Sequence, residues 1–313
     1  MPDEARGRGR LKAVLSEHGV LIAIVLLALG LRLWGLKFDM PYFVMQPDEE
    51  NVVVRALRFG YGDLNPHWFL YPTLYLYVSF VLYSAYFAAG FVFGFFASAR
   101  DFSLAFFRDP TVFYLLPRTL SALAGSATVL VTYLAAVKLF ERKRYGLLSA
   151  LFLAVSFYHV KYSHLAKPDA AMTLLVMLSF LFSVRFYRDG RPRDSLLAGL
   201  FAGLGISVKY PAGAALLPLA LAHFFNSAAP LRRRLPLLGR SLAAVGGAFL
   251  AGTPYALLDP AAFSDWLNWA RGLKGAVCRG QDYAGFSGYR YYLLRAFPES
   301  SGLPLCLASS AGL

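Results

Sequence analysis

Eight apolar runs set the terms for any fold of this chain: residues 19–36, 72–97, 113–140, 146–162, 170–187, 195–208, 211–225 and 240–258. In hydrocarbon every backbone group must bond internally, and a helix advances only about 1.5 Å per residue, so a crossing takes about 20 residues. Most of these runs reach or approach that length. The chain therefore reads as an all-α polytopic membrane protein. Its 313 residues are 58% hydrophobic and only 16% charged, which excludes a soluble enzyme with a large core. The net charge of +13 raises the question of nucleic acid, but the cations gather in short clusters between apolar runs, as membrane orientation requires.

Those clusters lie at 6–12, 142–144, 185–193 and 232–234, and the positive-inside rule places all of them in the cytoplasm. Two runs separate each later pair, but three separate the first pair, so one of the three makes no net crossing. Run 72–97 is the best choice: it is rich in Tyr, Phe and Gly, and its 26 residues are too few to cross twice. An amphipathic or re-entrant helix in the first outer loop is physically allowed there. The expectation is a single integral-membrane domain over 1–313 in the cell membrane. Its N-terminal tail, 1–18, is cytoplasmic, and seven crossings follow. Outer segments lie at 37–112, 163–169, around Lys209 and Tyr210, and at 259–297. Run 195–208 would span only about 21 Å, so a broken pair of helices is expected around Lys209-Tyr210-Pro211. The basic N-terminus is followed by Arg32 and Trp34 rather than a small-residue cleavage site, so it reads as a retained helix. Cys278 and Cys306 form no metal motif or disulfide framework. The tail from Leu303 to Leu313 reads as the start of a further apolar run in a shortened chain.

This topology collects the unusual polar residues on the outer side. Foremost is Asp48-Glu49-Glu50, preceded by Pro47. Proline at the first helical position, followed by acids, suits a helix start. The same acids also suit a general base, although neighbouring residues point about 100° apart and only one or two can face one substrate. Pro168-Asp169 repeats the pattern at the start of run 170–187, so two Pro-acid helix starts offer two carboxylates to one external cleft. His67, His159 and His164 are further outer polar groups, but none has metal-motif spacing. Lys209 is read either as a snorkelling cation or as a phosphate contact. The loop 259–297, with Arg271, Lys274, Arg279 and Arg290, is read either as solvated or as a phosphate grip.

The ordered set Gln46-Pro47-Asp48-Glu49, Tyr71-Pro72-Thr73-Leu74-Tyr75, Pro117-Arg118-Thr119-Leu120-Ser121, His164-Leu165-Ala166-Lys167-Pro168-Asp169 and Gly205-Ile206-Ser207-Val208-Lys209 resembles the GT-C superfamily of membrane glycosyltransferases. It is most similar to the protein mannosyltransferase and aminoarabinose transferase group, over about residues 20–260. The resemblance implies a GT-C-like helical bundle with juxtamembrane helices in its first outer loop. It also implies an inverting hexosyl or pentosyl transferase that takes a sugar from a polyprenyl phosphate and gives it to a protein, lipid or glycan. By resemblance, Asp48 falls on the catalytic acid with Glu49 beside it, Asp169 on the second-loop acid, and Lys209 on a lysine of that turn. Relatives carry Lys-Pro where this chain has Tyr71-Pro72, and Arg where it has Glu50-Asn51. Arg55, Arg58 or the last loop, with Arg279, would then substitute as donor-phosphate contacts beside Lys209. The resemblance leaves a divalent metal open, with Asp48, Asp169 and His164 as its candidate ligands. The rival classes are a transporter or channel, favoured only by Lys209 beside Pro211, and a non-catalytic membrane fragment. No sequence feature names the sugar or the acceptor.

Overall fold

A computed structural model describes residues 2–42, 46–226, 230–269 and residue 298. Among these residues every regular element is helical. Helix α1 (Pro2–Leu33) takes in the basic N-terminal segment and continues into the first apolar run. Three helices precede the next long one: α2 (Pro47–Arg58), α3 (Leu74–Val92) and α4 (Ala99–Arg108). Then come α5 (Thr111–Phe140), α6 (Lys143–Val155), the short α7 (Phe157–Ser163), α8 (Asp169–Asp189) and α9 (Pro192–Val208). A 3-10 segment (Tyr210–Ala215) leads into α10 (Leu216–Phe225), followed by α11 (Leu231–Gly252) and α12 (Tyr255–Leu258).

Local chemistry fixes the boundaries. Pro47 and Pro192 open their helices where a missing N–H costs nothing, and Pro168 caps α8 just ahead of Asp169. Glu141 and Gly190, at φ 57° and 66°, close α5 and α8 in the left-handed conformation that ends helices. Lys209 is extended, at φ −158° and ψ 130°, and breaks the chain where the short run predicts a broken pair. Among the described residues four helices are long and apolar enough to cross a membrane: α3, α5, α8 and Arg234–Gly252 within α11. Shorter apolar helices cover His18–Leu33 and Tyr210–Phe225.

Side-chain bonds fix the direction of each helix. Lys138 near the end of α5 pairs with Asp189 at the end of α8 at 2.7 Å, so these two helices run parallel. Asn226, just past α10, donates to the Phe186 carbonyl of α8 at 2.7 Å, so α10 runs with them. Arg32 of α1 donates to the carbonyls of Leu153 and Ala154 at the end of α6, at 3.2 and 3.1 Å. The ends of α1, α6, α9 and α11 therefore share one pole of the bundle with the starts of α5, α8 and the segment leading to α10.

Helix α3 packs against the start of α5. Tyr75 near its start donates to the carbonyl of Pro117 at 3.0 Å, and Tyr83 two turns later donates to that of Phe113 at 2.8 Å. It thus runs antiparallel along only the first turns of α5 and continues past its start. Phe96 then folds onto Gly90, where a Cβ would lie 2.2 Å from the ring, and α4 returns so that Phe102 meets Phe113 at 5.1 Å. The result is a helical hairpin that leaves and re-enters the same pole. Length and composition make α3 a candidate span, and its bonds to α5 lie along the first turns of that helix.

Helices α9 and α11 pack closest. Gly199 and Gly203 lie one turn apart, and a Cβ on them would come within 2.3 and 2.2 Å of the Ser241 and Val245 carbonyls. Small residues at this spacing let two backbones approach within a membrane.

Candidate active site

The site is built outward from Arg118, two turns into α5 and fully buried. A guanidinium in an apolar helix is costly unless its N–H groups are satisfied. Its Nε and Nη2 donate to the Glu49 carboxylate at 2.9 and 2.6 Å, Nη2 also to Asp39 Oδ1 at 3.0 Å, and Nη1 to the Leu36 and Phe38 carbonyls at 2.8 and 3.0 Å. Those five bonds use every donor that arginine has. Glu49 also accepts the N–H of Ala166. One buried ion pair therefore ties the segment after α1, the start of α2 and the loop before α8 to α5. Glu49 is wholly enclosed, so the structure separates it from Asp48, the acid beside it in the sequence.

Asp48 turns to the open side of α2, where its side chain is 57% exposed and accepts from the Lys167 ammonium at 2.6 Å. Two residues beyond Lys167, Asp169 opens α8. Its Oδ1 accepts from the Lys209 ammonium at 2.6 Å. Its Oδ2 is buried with no hydrogen-bond partner among the described residues. Two carboxylate–ammonium pairs thus stand at one pole of the bundle. Tyr71, in the loop before α3, lies among them. Lys209 sits 5.3 Å from its ring centroid. Burial pushes the Tyr71 phenol pKa up, and the charges of Lys167, Asp48 and Asp169 all act on it. Burial works against the Lys167 ammonium, but the hydrogen bond it donates to Asp48 and the charges around it outweigh burial and hold its pKa above the ordinary lysine value. Trp68 meets Tyr71 edge-on at 5.2 Å, and the Arg55 guanidinium covers Trp68 at 4.5 Å.

The other sequence candidates fall elsewhere. Arg58 is exposed at the far end of α2, about 15 Å along the helix from Asp48, so it is not part of the Asp48 constellation. Arg279 lies outside the described residues, as do Cys278, Cys306 and most of the segment 259–297. His164 bonds the carbonyls of Val160 and Trp34 at 2.9 and 2.8 Å, and His67 pairs with Asp63 at 2.8 Å. His159 joins Arg32 through its Nδ1 at 2.8 Å. Among the described residues no three His, Cys, Asp or Glu side chains converge as metal ligands. The trio of Asp48, Asp169 and His164 does not converge on one point: one oxygen of each carboxylate holds an ammonium, and both nitrogens of the histidine ring face backbone carbonyls.

Arg118, Lys167 and Tyr71 stand in the ordered stretches of the sequence, but nothing in those stretches assigns them their partners. Arg118 also leaves a signal of its own, as a charge inside an apolar run.

Fold and site together define a polytopic membrane protein with the GT-C helical architecture. The family model for dolichyl-phosphate-mannose-protein mannosyltransferases matches residues 115–252, a stretch that holds Arg118, Lys167, Asp169 and Lys209. Among solved structures the chain is similar to the protein O-mannosyltransferase Pmt1-Pmt2 complex of S. cerevisiae bound to the sugar donor, with a TM-score of 0.55 and 18% identity. The similarity covers 80% of this chain and 34% of that one, so this chain spans about a third of that protein's length. No curated protein sequence matches it.

Proposed function

We propose that this chain carries the catalytic membrane core of a glycosyltransferase that uses a polyprenyl-phosphate-linked sugar at the outer face of the cell membrane, with its N-terminus in the cytoplasm. One observation carries the reading: Asp48 and Asp169, far apart in sequence and each opening a helix, reach one pole of the bundle and share Lys167 and Tyr71 as neighbours. The family match and the donor-bound yeast structure support the same class, with a lipid-linked sugar as donor and a protein hydroxyl as one acceptor.

In this mechanism the acceptor oxygen attacks the anomeric carbon. The bond from that carbon to the phosphate oxygen breaks, the polyprenyl phosphate leaves with the electron pair, and one displacement inverts the configuration. Asp48 takes the acceptor proton. Its charge also stabilises the cationic character that develops on the sugar. Lys209, held at the pole by Asp169, neutralises the leaving phosphate. Asp169 orients Lys209 and the acceptor, and Glu49 acts through the fold by holding Arg118. The test is Asp48→Asn in membranes supplied with the lipid-linked sugar. A drop in transfer with unchanged thermal stability is expected, and full activity would remove Asp48 from its role.

A further inference from the structure

A general base held by an ammonium at 2.6 Å is poorly placed to take a proton. Lys167 therefore has to leave Asp48 for the chemistry to proceed, and the site shows where it can go. Its side chain is only 11% exposed while that of Asp48 is 57% exposed, so the lysine stem is anchored in the protein and the carboxylate faces the open side. Asp169 stands two residues further on, and its Oδ2 is a buried acceptor with no partner among the described residues. Such an orphan beside a lysine engaged elsewhere marks a second seat. Tyr71 and Lys209 border the same space.

We propose that Lys167 is a donor-phosphate contact with two positions: it rests on Asp48 while the site is empty, and it moves to the phosphate and Asp169 Oδ2 when the lipid phosphate binds, which frees Asp48 as base. The inference rests on the polyprenyl-phosphate reading above. The arrangement ties deprotonation of the acceptor to occupancy of the donor site, so Asp48 is not exposed as a free base when no donor is present.

The device makes phosphate and Asp48 competitors for one ammonium, and a mutant cycle reads that competition through binding alone. The full chain in nanodiscs is titrated with a radiolabelled polyprenyl phosphate that carries no sugar. Asp48→Asn should tighten binding by about threefold or more, since a half-exposed ion pair no longer competes with the ligand for Lys167. Lys167→Met should weaken binding. In the Lys167→Met background, adding Asp48→Asn should give no tightening. Tightening that persists there would mean simple charge repulsion between Asp48 and phosphate, and would overturn the inference. So would an Asp48→Asn protein that binds no tighter than wild type, and that comparison stands alone if Lys167→Met or Lys167→Gln fails to fold. Binding without coupling leaves the transferase reading intact. No binding by any variant, wild type included, sinks both.

Discussion

Arg118 and Asp48 are both polar residues at the same pole, but they answer to different physics. Arg118 and Glu49 form a buried pair whose every bond is internal, so removing one partner strands a charge. Glu49→Gln is expected to cost about 3–5 kcal/mol, visible as a lower thermal midpoint and poor yield before any assay of transfer. Asp48→Asn should leave the thermal midpoint near wild type and lower transfer by about 10²- to 10⁴-fold, the usual worth of a positioned base. The Lys167 pKa lies above the ordinary value of 10.5, so its pairing contributes fully below that pH and is lost as pH rises through the raised value. The stability difference between wild type and Lys167→Met should therefore hold steady from neutral pH to about 10 and shrink only above it. Asp48 and Asp169 are legible in the sequence as acids at proline-marked helix starts, a pattern that helix capping alone also explains, and their place at one pole is seen only in the fold. The role of Arg118 is not, because its acceptors come from residues 36, 38, 39 and 49, and only the fold brings those together.

At the scale of helices, the basic clusters and run lengths forecast most of the bundle. Run 72–97 shows how far such reasoning goes. Length and hydropathy make α3 a candidate span, charge parity expects it to make no net crossing, and its Tyr75 and Tyr83 bonds lie along the first turns of α5. The close approach of α9 and α11 went unread: Gly199 and Gly203 look like ordinary glycines of an apolar run until the Ser241 and Val245 carbonyls are seen against them. Gly203→Val is expected to force these helices apart and cost about 1–3 kcal/mol, measured as a fall in midpoint in detergent. Gly213, in the 3-10 segment before α10 and with open space where a Cβ would lie, should tolerate Ala with far less effect.

For the whole molecule, orientation is the open quantity that binds residue chemistry to biology. With Cys278 and Cys306 replaced by Ser, a cysteine at the exposed Tyr61 should react with a membrane-impermeant thiol reagent in intact cells, and one at the exposed Arg193 should not. The reverse pattern would put both carboxylates in the cytoplasm. The wide sequence separation of the Asp48–Lys167 pair, 119 residues, also bears on how the protein is made. At a translation rate of about 5–20 residues per second, the ribosome needs roughly ten seconds after α2 emerges before it delivers the lysine. For that interval the nascent chain carries an acidic helix start whose counter-ion does not yet exist. Insertion chaperones that shield unfinished membrane proteins would meet this chain with its future reaction centre still in pieces.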